Sequence, residues 1–294
     1  MGTFVAATFA RPGKFGFPKE YTPAYRAGFK AFMTAYAEFL RSKGWLKDAV
    51  VYNIDEAPEP LWEACRENYR QTKAVSPEIA VFQCLNDPKG VAALADSFDV
   101  IDVNLGQFHE GAAPAWLAKG GRTWWCVCCW PSGHPNLFLD YPGIDPRIIG
   151  WLSWKTGVEG FEYWAVNSWG NCMAGMGGKK FVDEVECAWI ANSFGNYNGD
   201  GYLVYPGPRN AVLSSVRLEA LRDGFEDHEY LAELKRRLEG RTGPGTEEAR
   251  ALLEVPDEVC RRDLGFTREP GNLLAARRRI AEAIEKLGRA LPRR

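Results

Sequence analysis

Short β-rich runs alternate with helical segments through the first two-thirds of this chain, and that alternation leaves few folds open. FVAATFA (4–10), AVVYNID (49–55), IAVFQCL (79–85), DVIDVNL (99–105), TWWCVCC (123–129) and GFEYWAV (160–166) read as strands. Between the first two, Tyr25, Phe29, Phe32, Tyr36, Phe39 and Leu40 recur at helical spacing until Gly44 stops the helix. Further helices are expected over 60–73, 89–96 and 145–156. Strands and helices in this order build βα units around a parallel sheet. Arg11, then Asn53, Asp55 and Glu56, then Asn104 and Gln107, then Asn167 and Trp169 follow the C-terminal ends of different strands. That placement favours an α/β fold of the (β/α)8 TIM-barrel type, which collects its active site at that face, over a doubly wound sheet. Six strands are counted where a closed barrel has eight, so residues 1–190 are expected to form a partial barrel, truncated at its N-terminus.

After about residue 190 the pattern changes. NSFGNYNGDGYLVYPGP is rich in Gly and Asn and holds one short strand, GYLVY. SSVRLEALRDGFEDHEYLAELKRRLEG then starts a long helix with Ser214 or Ser215 as N-cap, and a last helix is expected over 272–288. Residues 191–294 are read as this Gly/Asn-rich segment followed by C-terminal helices packed on the barrel. Lys and Arg outnumber Asp and Glu in the final sixty residues, but they sit among helix formers and read as a solvated helix face.

With 36 Lys+Arg against 38 Asp+Glu and a formal charge of −2, no global field draws the chain to nucleic acid or an anionic membrane. Neither a signal peptide nor an apolar run of membrane length is present, a pattern shared by cytoplasmic chains and by mature or truncated exported ones. Aromatic residues make up 13% of the chain and several fall at strand ends. Carbohydrate sites use such rings, because the apolar face of a sugar packs on them.

The most pointed stretch is VVYNIDEAPEP (50–60), where an apolar run ends in Asn53 and two adjacent acids. Strict alternation would put Val51, Asn53 and Asp55 on one face, on a barrel strand the interior, with Glu56 just beyond. Two such carboxylates can divide labour, one protonated as general acid and its neighbour ionised. They can equally start the next turn and cap the helix at 60–73, and the residues alone leave both readings open. Tyr163, Trp164, Asn167 and Trp169 in EYWAVNSWGN suit a sugar pocket, although alternation cannot turn Tyr163 and Trp164 the same way, so some of these rings are core. Trp124 and Trp125 pose the same choice. Cys126, Cys128 and Cys129 read as small core residues and not as a metal or redox motif. His109, His134 and His228 are too scattered to suggest a metal site, NYNGDG lacks the acids of a calcium loop, and GMGGKK is no phosphate loop. No metal and no cofactor is expected.

Taken together, YNIDEAPEP, WWCVCCWPSGHPNLFLDYPGIDPRIIGWLSWKTGVEGFEYWAVNSW and NGDGYLVYPGP…SSVRLEALRDGFEDHEYL resemble glycoside hydrolase family 123, in order along the chain from about residue 25 to 235. The family contains β-N-acetylgalactosaminidases. The resemblance implies a (β/α)8 barrel whose catalytic Asp-Glu pair ends the fourth strand, here Asp55 and Glu56. It further implies substrate-assisted hydrolysis, in which the 2-acetamido oxygen of the sugar attacks the anomeric carbon. Asp55 would hold the acetamido N–H, and Glu56 would protonate the leaving oxygen and then activate water. Asn53, Asn104, Trp125, Tyr163, Trp164, Asn167 and Trp169 are then the candidate contacts to a glycan substrate. If Asp55 and Glu56 close the fourth strand, two strands and the preceding β-sandwich of relatives are missing here. The family's Asp-Glu-Pro is Asp55-Glu56-Ala57-Pro58 in this chain, and Cys126 stands where relatives tend to carry Tyr. Two alternatives remain at this point: a covalent carboxylate nucleophile such as Glu162 acting on a sugar without the acetamido group, and a carbohydrate-binding barrel without turnover.

Overall fold

The structure, a computed structural model, describes the backbone of residues 4–8 and residues 21–129, 135–169, 188–191, 193 and 197–289. Arg11 and His134 lie outside the described residues. The chain divides into two compact units, 1–126 and 127–294.

The first unit is an α/β half-barrel. Strands β1 (Phe4–Thr8), β2 (Ala49–Tyr52), β3 (Ala80–Cys84), β4 (Val100–Asn104) and β5 (Arg122–Val127) pair in chain order, every pair parallel, in a curled sheet. Helices α1 (Pro23–Ser42), α2 (Trp62–Val75), α3 (Pro88–Ala93) and α4 (Ala113–Ala118) fall between them. Each expected strand forms, and where the C-terminal end is described it lies one to three residues short of the apolar run. The short helix α4 was not foreseen, because APAWLA holds too few residues to show a period.

Helix α1 starts where a side chain can replace missing backbone acceptors: Thr22 Oγ1 accepts from Tyr25 N at 3.1 Å, and Pro23 occupies the first turn. It stops at Gly44, whose φ of 72° suits glycine. The face it buries is not the expected aromatic stripe. Met33, Ala37 and Leu40 pack on Leu46, Ala49, Val51 and Ile79, with Phe29 and Tyr36 only partly buried beside them. Phe32 and Phe39 stay 54% and 46% exposed, and the rings stack along the helix flank, Phe32 on Tyr36 at 5.5 Å and Tyr36 on Phe39 at 6.1 Å. Aromatics at positions 29, 32, 36 and 39 share a period with the buried residues 33, 37 and 40 but lie one position round the helix, and period alone cannot separate two adjacent stripes.

Alternation gives the sheet two faces. Val51 faces α1, whereas Val50, Phe82, Cys84, Val100 and Trp124 form a second cluster, with Tyr52 and Ala80 packed against it. The concave face thus carries Val50 and Tyr52, not Val51 and Asn53. That reverses the parity read from VVYNID.

In the second unit α5 (Ile144–Thr156) is buried along most of its length and crosses α6 (Val216–Leu238) where Gly150 meets Gly224. A Cβ at 150 would run into the Gly224 carbonyl, so both positions are held to glycine by close backbone approach. Asp227 of α6 has no exposed surface and takes Arg147 Nε at 2.8 Å, Trp151 Nε1 at 2.9 Å and Arg277 Nε of α8 (Pro270–Arg289) at 2.5 Å. One carboxylate therefore ties three helices. Ser215, one of the two expected caps, accepts from Leu218 N at 3.2 Å to start α6. Strand β6 (Gly160–Tyr163) follows α5, and the expected GYLVY strand is a hairpin, β7 (Val204–Pro206) antiparallel to β8 (Val212–Ser214). Helix α7 (Thr246–Ala251) lies between the two long C-terminal helices in sequence.

Removing the shared anion should leave two partly buried guanidinium groups and an indole without their partner. Asp227→Ala is expected to lower unfolding free energy by about 3–5 kcal/mol in a denaturant titration. A loss under about 1 kcal/mol would show that the helices do not depend on it.

Candidate active site

Strand β2 ends because Asn53 is spent on other work. Its Oδ1 accepts from Ile54 N at 2.9 Å and from Asn68 Nδ2 of α2 at 3.0 Å, and its Nδ2 donates to Cys65 O at 3.2 Å. Gln83 Nε2 donates to Ile54 O at 2.8 Å, and Trp62 Nε1 closes the far side on Ala57 O at 3.1 Å. Asn53, Asn68 and Gln83 have no exposed surface. The chain turns sharply after Asn53, so alternation no longer applies and Asp55 and Glu56 both emerge into solvent. Asn53 is accordingly a fixture of the turn on the helix-covered side, and its amide is committed within the protein.

The acid pair sits at the C-terminal end of β2, as the barrel reading expects. Asp55 Oδ1 accepts from the Tyr52 hydroxyl at 2.9 Å, and the Tyr52 ring lies 4.9 Å from Phe82 on the concave face. Glu56 adopts φ of 42°, the left-handed region that non-glycine residues avoid. Such a conformation costs about 1–3 kcal/mol and persists only where its surroundings hold it; the hydrogen bonds around the turn, at about 1 kcal/mol each net, are enough to do so. Tyr52 escaped the sequence reading because it was assigned to the wrong face.

Further along the concave face, Asp102 pairs in register with Cys84 on one side and Trp124 on the other, and Asn104 with Cys126. Asp102 is fully buried and Asn104 nearly so, its Oδ1 accepting from Gly106 N at 3.0 Å. Trp124, 5.1 Å from Phe82, supplies the concave-face ring. Trp125, the expected contact, has no exposed surface and meets Phe108 edge-on at 5.5 Å on the helix-covered face. The residues leave the choice between Trp124 and Trp125 open, and the structure puts Trp124 in the concave-face cluster. Asp102 was legible in principle, since it shares parity with Asn104 in DVIDVNL.

In the second unit, β6 ends at Tyr163, which frees Trp164 from alternation. Tyr163 Oη and Trp164 Nε1 both donate to Asp200 Oδ1 at 3.0 Å, and Gly201 N donates to Tyr163 Oη at 2.8 Å. Asp200 is fully buried; burial raises its carboxyl above the usual range, although hydrogen bonds from Trp164 and Tyr163 and the charge of Arg217 pull the other way. Burial and the Asp200 charge push the Tyr163 phenol well up, so it stays a neutral donor. Trp169 Nε1 donates to Val204 O at 3.0 Å and its carbonyl accepts from Tyr202 Oη at 3.1 Å. Asn167 is exposed and bridges Tyr202. The rings of EYWAVNSW are thus organised by Asp200 and Tyr202, two residues of the Gly/Asn-rich segment that carried no signal of their own.

The family described as glycoside hydrolase 123, catalytic domain, matches residues 14–234. The chain belongs to this family. A search of curated proteins finds no match. Among solved structures the family 123 fold is found in a glycoside hydrolase from Clostridium perfringens, whose structural analysis concerned glycolipid glycan hydrolysis. The two share 17% identity at a TM-score of 0.58 over 92% of this chain, which spans 46% of that one. The family 123 match covers both the acid turn and the aromatic segment.

Two measurements probe these arrangements. Glu56→Gly removes the Cβ that makes the left-handed backbone costly, and should raise unfolding free energy by about 1 kcal/mol while removing the carboxyl group. A destabilised variant would mean that the Glu56 side chain holds the turn. Asp200 keeps its proton to higher pH in the folded than in the unfolded chain, so between the ordinary carboxylate value of 3.8 and its raised value stability falls as pH rises. Asp200→Asn removes that slope, and its melting temperature relative to the parent protein should improve from pH 4 to pH 7. A constant or worsening difference would overturn the assignment.

Proposed function

We propose that the chain is the catalytic part of a retaining glycosidase that removes terminal β-linked 2-acetamido sugars, most specifically N-acetylgalactosamine, from a glycan or glycoconjugate. In this reading the curled sheet is part of a (β/α)8 barrel. The observation that carries it is the pinned turn presenting two adjacent acids beyond β2, one oriented by Tyr52 and the other on a strained backbone. Two adjacent acids of one turn leave the role of a covalent nucleophile, a second carboxyl group about 5 Å away across the cleft, unassigned. They suffice where the substrate brings its own nucleophile. The acetamido oxygen attacks the anomeric carbon; Asp55 accepts the acetamido N–H and stabilises the developing positive charge. Glu56 gives its proton to the departing oxygen, then takes one from the water that opens the oxazolinium-like intermediate. Asn104 and Trp124 are the candidate sugar contacts of the first unit, and Tyr163, Trp164, Asn167 and Trp169 are the second unit's own candidates.

Family membership supports the hydrolase reading, and the glycolipid glycans of the Clostridium perfringens relative support a glycoconjugate substrate. Nitrophenyl glycosides of N-acetylgalactosamine, N-acetylglucosamine and galactose, assayed side by side, should be cleaved in that order of preference, with galactoside untouched because it lacks the internal nucleophile. Glu56→Gln should abolish cleavage of poor leaving groups while aryl glycosides with good ones lose far less, since only the former need the proton. Asp55→Asn should cost activity without rescue by azide. Equal losses for both leaving groups, or an inverted glycosyl azide, would contradict the assigned roles.

A further inference from the structure

Cys84, Asp102 and Cys126 lie on three adjacent strands of the concave face, and their Sγ and carboxylate oxygen atoms fall within 4.8 Å of one another. All three are buried. Cys84 and Cys126 stand on β3 and β5 with β4 between them, so their backbones are separated by two inter-strand spacings, about 9–10 Å. Backbones that far apart exceed the reach of a disulfide, about 7 Å. The two sulfurs nevertheless converge with the carboxylate of the intervening strand on one small volume. Two thiols and a carboxylate gathered in this way, with the protein occupying three positions and leaving a fourth, match the donor set and count of an open zinc site.

We propose that Cys84, Asp102 and Cys126 bind one divalent ion of the zinc class. Thiolate donors select such ions over calcium or magnesium, which prefer oxygen. A carboxylate without exposed surface is well served by a cation in its own shell. Binding displaces two thiol protons, M²⁺ + 2 RSH giving M(SR)₂ + 2 H⁺, with Asp102 completing the protein ligands. Metal binding must therefore strengthen as pH rises, by up to about a hundredfold per unit for two protons. The C-x-x-C spacing of Cys126 and Cys129 plays no part; the site is assembled across strands and invisible to sequence spacing. It stands apart from the hydrolase reading, because no step assigned to Asp55 or Glu56 needs it.

Cobalt(II) titration of the reduced full chain provides the test without any activity assay. The expected result is a one-to-one complex with thiolate-to-cobalt charge transfer in the near-ultraviolet and tetrahedral visible bands, displaced by zinc and strengthening from pH 6 to pH 8. Cys84→Ser and Cys126→Ser should each weaken it by about a hundredfold or more, and Asp102→Asn should weaken it as well, while Cys128→Ser with Cys129→Ser leaves it intact. Zinc should also protect Cys84 and Cys126 of the unsubstituted protein from alkylation under partial denaturation, read by mass spectrometry, which needs no variant to fold. Absence of the charge-transfer band at saturating cobalt, or its survival in Cys84→Ser with Cys126→Ser, would overturn the proposal.

Discussion

The candidate active site depends on a buried amide lattice. Asn53 joins the end of β2 to Cys65 and Asn68 of α2, and Gln83 of β3 reaches the Ile54 carbonyl. Through Asn68 the lattice extends to the Tyr21 hydroxyl at 3.1 Å, at the threshold of α1. Amides are suited to this because each offers donors and an acceptor without a charge to desolvate. A carboxylate in the place of Asn53 would bring a buried charge, and an apolar side chain would leave the Ile54 N–H and the Cys65 carbonyl unsatisfied. The lattice allows a turn that exposes two acids and holds one of them in a backbone conformation it would not choose.

The sheet separates the tasks of its two faces by parity. Odd-numbered residues of β2, such as Val51, carry the contacts to helices, and even-numbered ones face the concavity, where Tyr52, Phe82 and Trp124 form a line of rings. Polar groups follow the rings toward the C-terminal ends of the strands, in Asp102 and Asn104.

The strands and long helices were legible in the sequence because period and composition agreed over enough residues: AVVYNID and IAVFQCL are apolar and bounded by turn formers, and Ser215 is a cap that the helix uses. The acid pair stood out in the sequence, although its residues alone left a helix-capping role as open as a catalytic one. What was not legible depends on where alternation stops. A strand that ends at Tyr52 and one that ends at Asp55 read alike, yet they assign Asn53 and Tyr52 to opposite roles. Asp200 and Tyr202 were hidden for another reason. Their significance comes from Tyr163, Trp164 and Trp169, more than thirty residues away in sequence, and nothing in NYNGDGYLV announces such partners.

Arg217, nearly buried at the start of α6, donates to the carbonyls of Leu137, Gly199 and Tyr202 and to the Tyr205 hydroxyl. Its reach to Leu137 spans 80 residues of chain. On a ribosome, the segment that bears Asp200 therefore emerges before the cation that fastens it, and the rings of Tyr163 and Trp164 wait longer still. Closure of that region belongs late in folding, since the entropy of drawing together distant segments is lost before the contacts that reward it exist. Until α6 is made, the segment that bears Asp200 lacks the cation that fastens it to the carbonyls of Leu137 and Tyr202.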